Sequence, residues 1–158
     1  MDLDKCFISS VGDISAFIET KGYRAYARRN LALYESILST VNASVVLALS
    51  SGFMTYPVDV DEGYLALLHQ IENDPLSVLL LPSFELEECV DIIVSRQMRR
   101  HYLNRNSRRE EEKIRQRFPA FMSLQCTRFL SNAPLTELVC DITRFAMEQR
   151  PLFQKCVN

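Results

Sequence analysis

The segment "SVLLLPSFELEECVDIIVSRQMRRHYL" (Ser77–Leu103) decides the predicted fold. Its opening, SVLLLPS, holds a short apolar run that suits a buried strand and is far too short to span a membrane. The remainder predicts a long helix that begins acidic and ends basic, which complements the helix macrodipole. A buried strand followed directly by a helix is the repeating unit of a parallel α/β sheet.

The same alternation extends to both sides of this segment. Further buried strands are predicted at "SVVLALS" (Ser44–Ser50) and "CTRFLS" (Cys126–Ser131). The helix "DISAFIETKG" has Asp13 as N-cap and Gly22 as C-terminal stop. Other helices are predicted over residues 23–42, 59–74, 107–124 and 134–150. We therefore expect an α/β fold with a three-layer, doubly wound parallel sheet, formed by a single domain over residues 1–158.

Composition restricts the function classes. The net charge is −2 and the pI is near 5.7, whereas nucleic-acid and membrane-surface binders usually carry a basic surplus. The five cysteines are never in C-x-x-C or C-x-x-H spacing, which predicts neither a zinc site nor a disulfide framework. Asp2 and Asp4 stand where a signal peptide would be basic. We expect a cytoplasmic protein with no nucleic-acid or membrane partner.

One stretch is strongly basic despite this balance. "RRHYLNRNSRREEEKIRQRFPAF" (Arg99–Phe121) contains seven arginines, the side chain best suited to fork onto phosphates and carboxylates. Its anion could be a nucleic-acid backbone, a nucleotide, an acidic substrate or its own glutamates. Glu111 and Arg115, for example, have the i,i+4 spacing of an attractive helix pair.

Ligands of parallel sheets bind beyond the carboxyl ends of the strands. The candidate binding residues are therefore those that follow the three predicted strands: Ser50, Ser51 and Gly52; Arg96, Arg99 and Arg100; Ser131, Asn132 and Ala133.

Taken in chain order, six segments resemble shikimate kinases, a family of the P-loop nucleoside-monophosphate-kinase superfamily. They are "DLD" (residues 2–4), "GYRAYARRN" (22–30), "VLALSSG" (46–52), "SRQMRRHYL" (95–103), "IRQRFPAFMSL" (114–124) and "FLSNAPLTELVCDI" (129–142). The collinear order over nearly the whole chain is more specific than any one segment.

The resemblance implies ATP-dependent transfer of the γ-phosphoryl group to the 3-hydroxyl of shikimate by a monomer. It assigns Asp4 to the shikimate hydroxyl, either as base or as a positioning group. Ser51 and Gly52 correspond to the substrate loop. Arg117 would fork onto the shikimate carboxylate.

The resemblance also implies ATP and Mg²⁺ as cofactors. Asp2 would lie on the magnesium side. A mobile lid over residues 96–109 would carry Arg100, which closes over the phosphates and stabilises the transferred charge. Arg96 would lie against adenine or the α-phosphate.

Three departures from the family pattern bear on activity. The phosphate-binding G-x-x-G-x-G-K-[ST] loop and the strand before it are absent from the sequence, so we expect an N-terminally short chain that binds ATP poorly. Ala27 and Asn30 replace a substrate-binding arginine and its glutamate partner, for which Arg24 or Arg28 could substitute. Ser50 and Ser51 replace glycines, and their Cβ atoms are expected to restrict φ.

Two other functions remain open at this stage. One is a non-catalytic relative that serves as a small-molecule-binding or protein-interaction module, which the loss of the arginine site favours. The other is an RNA- or nucleotide-binding domain that uses residues 96–109, which the neighbouring Glu110–Glu112 and the net acidity disfavour.

Overall fold

The computed structural model describes residues 1–42, 44–99 and 107–153, with the side chains of residues 150–153 excepted. The chain divides into two compact units, Met1–Leu68 and His69–Asn158. Among the described residues, no helix is both long enough and apolar enough to cross a membrane.

Helices dominate the first unit. They are α1 (Leu3–Ser10), α2 (Ile14–Lys21), α3 (Tyr23–Thr40), a 3-10 turn (Phe53–Thr55) and the first half of α4 (Tyr64–Asn73). Two aspartates begin helices as N-caps: Asp2 accepts from the Lys5 amide and Asp13 from the Ala16 amide. Gly22 ends α2 and precedes α3 with φ of +82°, a conformation that favours glycine.

The core of the first unit is aromatic. Phe7 and Tyr26 pack with ring centroids 5.1 Å apart, and Phe53 and Tyr56 with centroids 5.7 Å apart. These four side chains are almost completely buried. Their large apolar area ties α1, α3 and the 3-10 turn together.

A single backbone bridge joins the start of the chain to the loop after α3. The Leu3 amide donates to the Ala48 carbonyl, and the Ala48 amide donates to the Met1 carbonyl, each over 2.9 Å. The result is an isolated parallel bridge between Asp2 and Ala48.

The second unit contains two parallel strands and three complete helices among its described residues. The strands β1 (Val78–Leu81) and β2 (Thr127–Leu130) pair in the register Val78 to Thr127 through Leu81 to Leu130. The helices are α5 (Leu86–Met98), α6 (Ser107–Ser123) and α7 (Leu135–Phe153). Leu81, Cys89 and Phe118 form the core that joins β1, α5 and α6.

The predicted three-layer, doubly wound parallel sheet is wrong. The structure is 65% helix and 7% strand, and its sheet has only the two strands β1 and β2 in the described residues. The predicted strand Ser44–Ser50 is reduced to the bridge at Ala48, and the side chain of Val46 is 86% exposed. An apolar run becomes a strand only where a neighbour supplies ladder partners, and here that ladder ends after one bridge.

Most of the other elements are confirmed. β1 and β2 lie inside the predicted strands, and α2 to α7 lie at the predicted helices. Helix α1 was missed, although Asp2 is an N-cap and Leu3 and Phe7 have the i,i+4 spacing of its buried face. The prediction of one domain over residues 1–158 stays a prediction.

We predict that Phe118→Ala lowers the free energy of unfolding of the second unit by about 3–5 kcal/mol, because the ring is almost fully buried against Leu81 and Cys89. Urea unfolding, with hydrogen exchange of the β1 and β2 amides as the local probe, measures this loss. Leu135→Ala is the control, since Leu135 is 75% exposed and should change the free energy by no more than about 0.5 kcal/mol. Equal effects of the two changes would contradict the assigned core.

Candidate functional site

A buried polar network lies at the centre of the first unit, and it begins at Asn30. This side chain is fully buried in the middle of α3, where asparagine is a poor helix former and must be hydrogen-bonded. Its amide nitrogen donates to Ser50 Oγ over 2.7 Å and to the Tyr56 hydroxyl over 2.8 Å. The network therefore connects α3 to the loop that follows it.

The same network ends on the carboxylate of Asp4. Ser50 Oγ donates to Asp4 Oδ1 over 2.5 Å, and the Tyr26 hydroxyl approaches the same oxygen to 3.5 Å. A distance near 2.5 Å is typical of a strong hydrogen bond from a hydroxyl to an ionised carboxylate. We call Asp4, Tyr26, Asn30, Ser50 and Tyr56 the Asp4 network.

Backbone structure places the two ends of this network together. The bridge between Asp2 and Ala48 aligns the first turn of α1 with the loop that carries Ser50. Ser50 then begins a turn, because its carbonyl accepts from the Phe53 amide over 2.9 Å. Asp4 and Ser50, which are 46 residues apart in sequence, thereby come into direct contact.

The tyrosine hydroxyls of this region stay protonated over the whole range of ordinary pH. Burial raises the pKa of Tyr26, and burial raises the pKa of Tyr56 far above its usual value of 10. Burial likewise raises the pKa of Tyr64 to about 12. The Tyr64 hydroxyl donates to the Phe53 carbonyl over 2.7 Å and accepts from the Tyr56 amide over 2.9 Å.

The turn Ser51–Gly52 needs no glycine for its backbone. Gly52 has φ of −98°, which any residue adopts. Within the described residues, positive φ occurs only at Gly12 and Gly22. Neither Ser50 nor Ser51 has positive φ, and the expectation that their Cβ atoms restrict φ stays a prediction. Ser51 is exposed and Gly52 is buried.

The two arginines that could substitute for Ala27 have partners in another loop. Arg24 forms an ion pair with Asp59 over 2.9 Å, and Arg28 Nε donates to the Val60 carbonyl over 2.8 Å. Ala27 itself is fully buried. Both guanidinium groups therefore bind the loop before α4 and not the Asp4 network.

The Mg²⁺ and ATP sites that the resemblance implies stay predictions. Asp2, the predicted magnesium-side residue, uses its carboxylate to cap α1, and no group of three or more His, Cys, Asp or Glu side chains in the described ranges could hold a metal ion. Mg²⁺ is usually held by one or two carboxylates together with substrate phosphates. The sequence also lacks the loop that would cradle those phosphates.

In the second unit, two predicted arginines lie near the parallel strands. Arg96 donates to the Ser131 carbonyl over 3.3 Å, which places it at the carboxyl end of β2. Arg117 is half-buried on α6, beside Phe118 in the core. Arg100 and half of the predicted lid (residues 96–109) lie outside the described residues.

Part of the basic stretch is paired with glutamates. Arg115 makes a two-point contact with Glu87, each bond 2.7 Å long, and a third bond to Glu111 over 2.8 Å. Further ion pairs on α6 are Arg108 with Glu112 and Lys113 with Glu110. The predicted attraction between Glu111 and Arg115 is confirmed, and these contacts answer part of the question of which anions the arginines hold.

The predicted meeting of Asp4 and Arg117 in one pocket stays a prediction, because the two residues belong to different units. A cavity of about 250 Å³ does lie within the second unit. It opens beside Ser77 and Cys126, at the amino ends of β1 and β2, which is opposite to the end where parallel sheets usually bind ligands.

Sequence reasoning did not assign Asn30, Tyr26 or Tyr56 to the site. Tyr26 was interpreted as core or pocket wall, and Asn30 only as a departure from the family pattern. The available signal was an amide inside the apolar stripe of α3, four residues after Tyr26. A buried asparagine at that spacing indicates a polar network, but its partners lie elsewhere in the chain.

Searches against models of protein families, against curated proteins and against solved structures each returned no match.

We predict that Glu87→Gln removes an acid-sensitive contribution to the stability of the second unit. Hydrogen bonding to Arg115 holds the pKa of Glu87 below its usual 4.5, so the stabilisation is fully present above pH 4.5 and is lost as the pH falls through the lowered pKa. Unfolding by urea should show the largest difference between wild type and E87Q at pH 7, and that difference should shrink in acid. Glu148→Gln, at an exposed position of α7, is the matched control. A difference that is constant with pH would contradict the assignment.

Proposed function

We propose that this chain binds shikimate through Asp4 and is a shikimate-kinase-type phosphotransferase that binds ATP poorly, because its sequence lacks the phosphate-binding loop. The observation that carries the proposal is the 2.5 Å contact between Asp4 and Ser50. These residues come from the two segments, DLD and VLALSSG, to which the resemblance assigns substrate binding. Because they are far apart in sequence, their contact supports a common site.

The carboxylate of Asp4 suits a ligand hydroxyl. The hydrogen bonds that the structure describes at Asp4 engage Oδ1, and none of them uses Oδ2. Asp4 is only half-buried, so that oxygen can accept from a hydroxyl group of shikimate. In phosphoryl transfer, a carboxylate at this place orients the attacking hydroxyl or accepts its proton.

The remaining assignments rest on the resemblance. Arg117 would pair with the shikimate carboxylate, for which a planar guanidinium is suited. Arg96, Arg100 and Asp2 would contribute to the ATP and magnesium side. Phosphoryl transfer also requires a phosphate-binding loop, which none of the 158 residues supplies.

A second candidate function is non-catalytic shikimate binding, and one observation favours it. Ala27 is fully buried, and the guanidinium groups of Arg24 and Arg28 are bound to the loop at Asp59 and Val60. A site without the family's arginine can still bind a hydroxylated ligand through Asp4. It would hold that ligand less firmly in the orientation that phosphoryl transfer needs.

We predict saturable binding of shikimate to the full chain, measured by titration calorimetry and by NMR of the first unit. Asp4→Asn should weaken binding about tenfold or more, because a hydrogen bond to a charged group is worth about 1.5–3 kcal/mol. Asp13→Asn is the matched control: it removes the same charge at the start of another helix of the same unit and should bind like wild type. Equal affinity of wild type and D4N would remove Asp4 from the site.

Coupled measurement of ADP release with ATP, Mg²⁺ and shikimate separates the two functions. Turnover that falls in both Asp4→Asn and Arg117→Ala supports the kinase, and turnover unchanged in both variants overturns the assigned residues. Binding without turnover supports the non-catalytic module. Absence of shikimate binding overturns both functions.

A further inference from the structure

Asn30 contains a buried polar atom that has no partner. Its side chain is fully buried, and Oδ1 accepts no hydrogen bond within the part of the chain that the structure describes. A buried acceptor without a partner costs folding free energy. An apolar side chain of the same shape would avoid this cost, so stability alone does not explain the amide.

The amide nitrogen of Asn30, by contrast, determines in which direction the neighbouring hydroxyl groups donate their hydrogen bonds. Its two hydrogens go to Ser50 Oγ and the Tyr56 hydroxyl, at 2.7 and 2.8 Å. Both hydroxyls therefore accept from Asn30 and must donate their own hydrogens elsewhere. Ser50 donates to Asp4 Oδ1, and the Tyr26 hydroxyl, which lies 3.4 Å from the Asn30 amide nitrogen, reaches the same oxygen.

We propose that Asn30 is a positioning residue for Asp4. By donating to Ser50, Asn30 makes Ser50 donate its own hydrogen to Asp4 Oδ1. This fixes the carboxylate in one orientation and leaves Oδ2 for a ligand hydroxyl. The choice of shikimate as that ligand rests on the proposed function, whereas the orientation of Asp4 does not.

The test compares Asn30→Leu with Tyr64→Phe. Leucine has nearly the shape of asparagine and removes both the donor and the unpartnered oxygen, so the melting temperature should be unchanged or higher. Shikimate affinity should nevertheless fall about tenfold. Tyr64→Phe breaks a buried pair of hydrogen bonds that does not lead to Asp4, and it should lower the melting temperature and leave the affinity unchanged. If Asn30 had only a structural role, both variants would have lower melting temperatures than the wild type. That result would overturn the proposal.

A double-mutant cycle with Ser50→Ala tests the route of the effect. If Asn30 acts through Ser50, S50A alone weakens binding, and adding N30L produces little further loss. An undiminished tenfold loss in the S50A background would show that Asn30 acts by another route and would overturn the proposal.

A ligand-free measurement separates this proposal from the proposed function. The carboxylate carbon resonance of Asp4 should move in N30L and in S50A and should not move in Y64F. If it moves while the wild type fails to bind shikimate, Asn30 positions Asp4 and the proposed function is wrong. If it does not move in N30L, the positioning role is wrong whether or not shikimate binds.

Discussion

The short parallel bridge between Asp2 and Ala48 is the constraint on which the candidate site depends. Two backbone hydrogen bonds of 2.9 Å join the chain start to the loop after α3. They fix the register between α1 and that loop, and one residue of slippage would turn Asp4 away from Ser50. The aromatic core around Phe7 and Tyr26 holds α1 against α3 and so supports the bridge from the other side.

The first unit contains both an aromatic core and a buried group of polar side chains. Asn30, Ser50 and Tyr56 are buried together, and their hydrogen bonds lead in one direction, to a carboxylate that is only half-buried. Burial of polar groups is costly unless they are paired, and Asn30 Oδ1 has no hydrogen-bond partner among the described residues. Binding and catalytic sites commonly contain such a loss of folding free energy, at a place where a reactive side chain must be oriented.

Ion pairs, as well as an apolar core, connect the helices of the second unit. Phe118 packs into the core of β1 and α5, while Arg115 on the same helix binds Glu87 at the start of α5. A helix with this many arginines on a chain of net charge −2 would suggest an anion-binding surface if its glutamates were ignored. Because Glu87 and Glu111 bind Arg115, part of that positive charge has a structural role.

The sequence by itself determined helices α2 to α7 and the positions of β1 and β2, because capping residues and apolar periodicity act locally. Asp13 and Gly22 delimit α2 as predicted, and the apolar run Val78–Leu81 forms a strand.

The sheet could not be predicted in the same way. The run at Val45–Leu49 has the composition of a strand, yet a strand requires ladder partners from distant parts of the chain. The site divides along the same line. The family resemblance pointed to Asp4, whereas only tertiary structure joined it to Ser50, Asn30 and Tyr56, because hydrogen-bond partners 20 to 46 residues apart are chosen by packing.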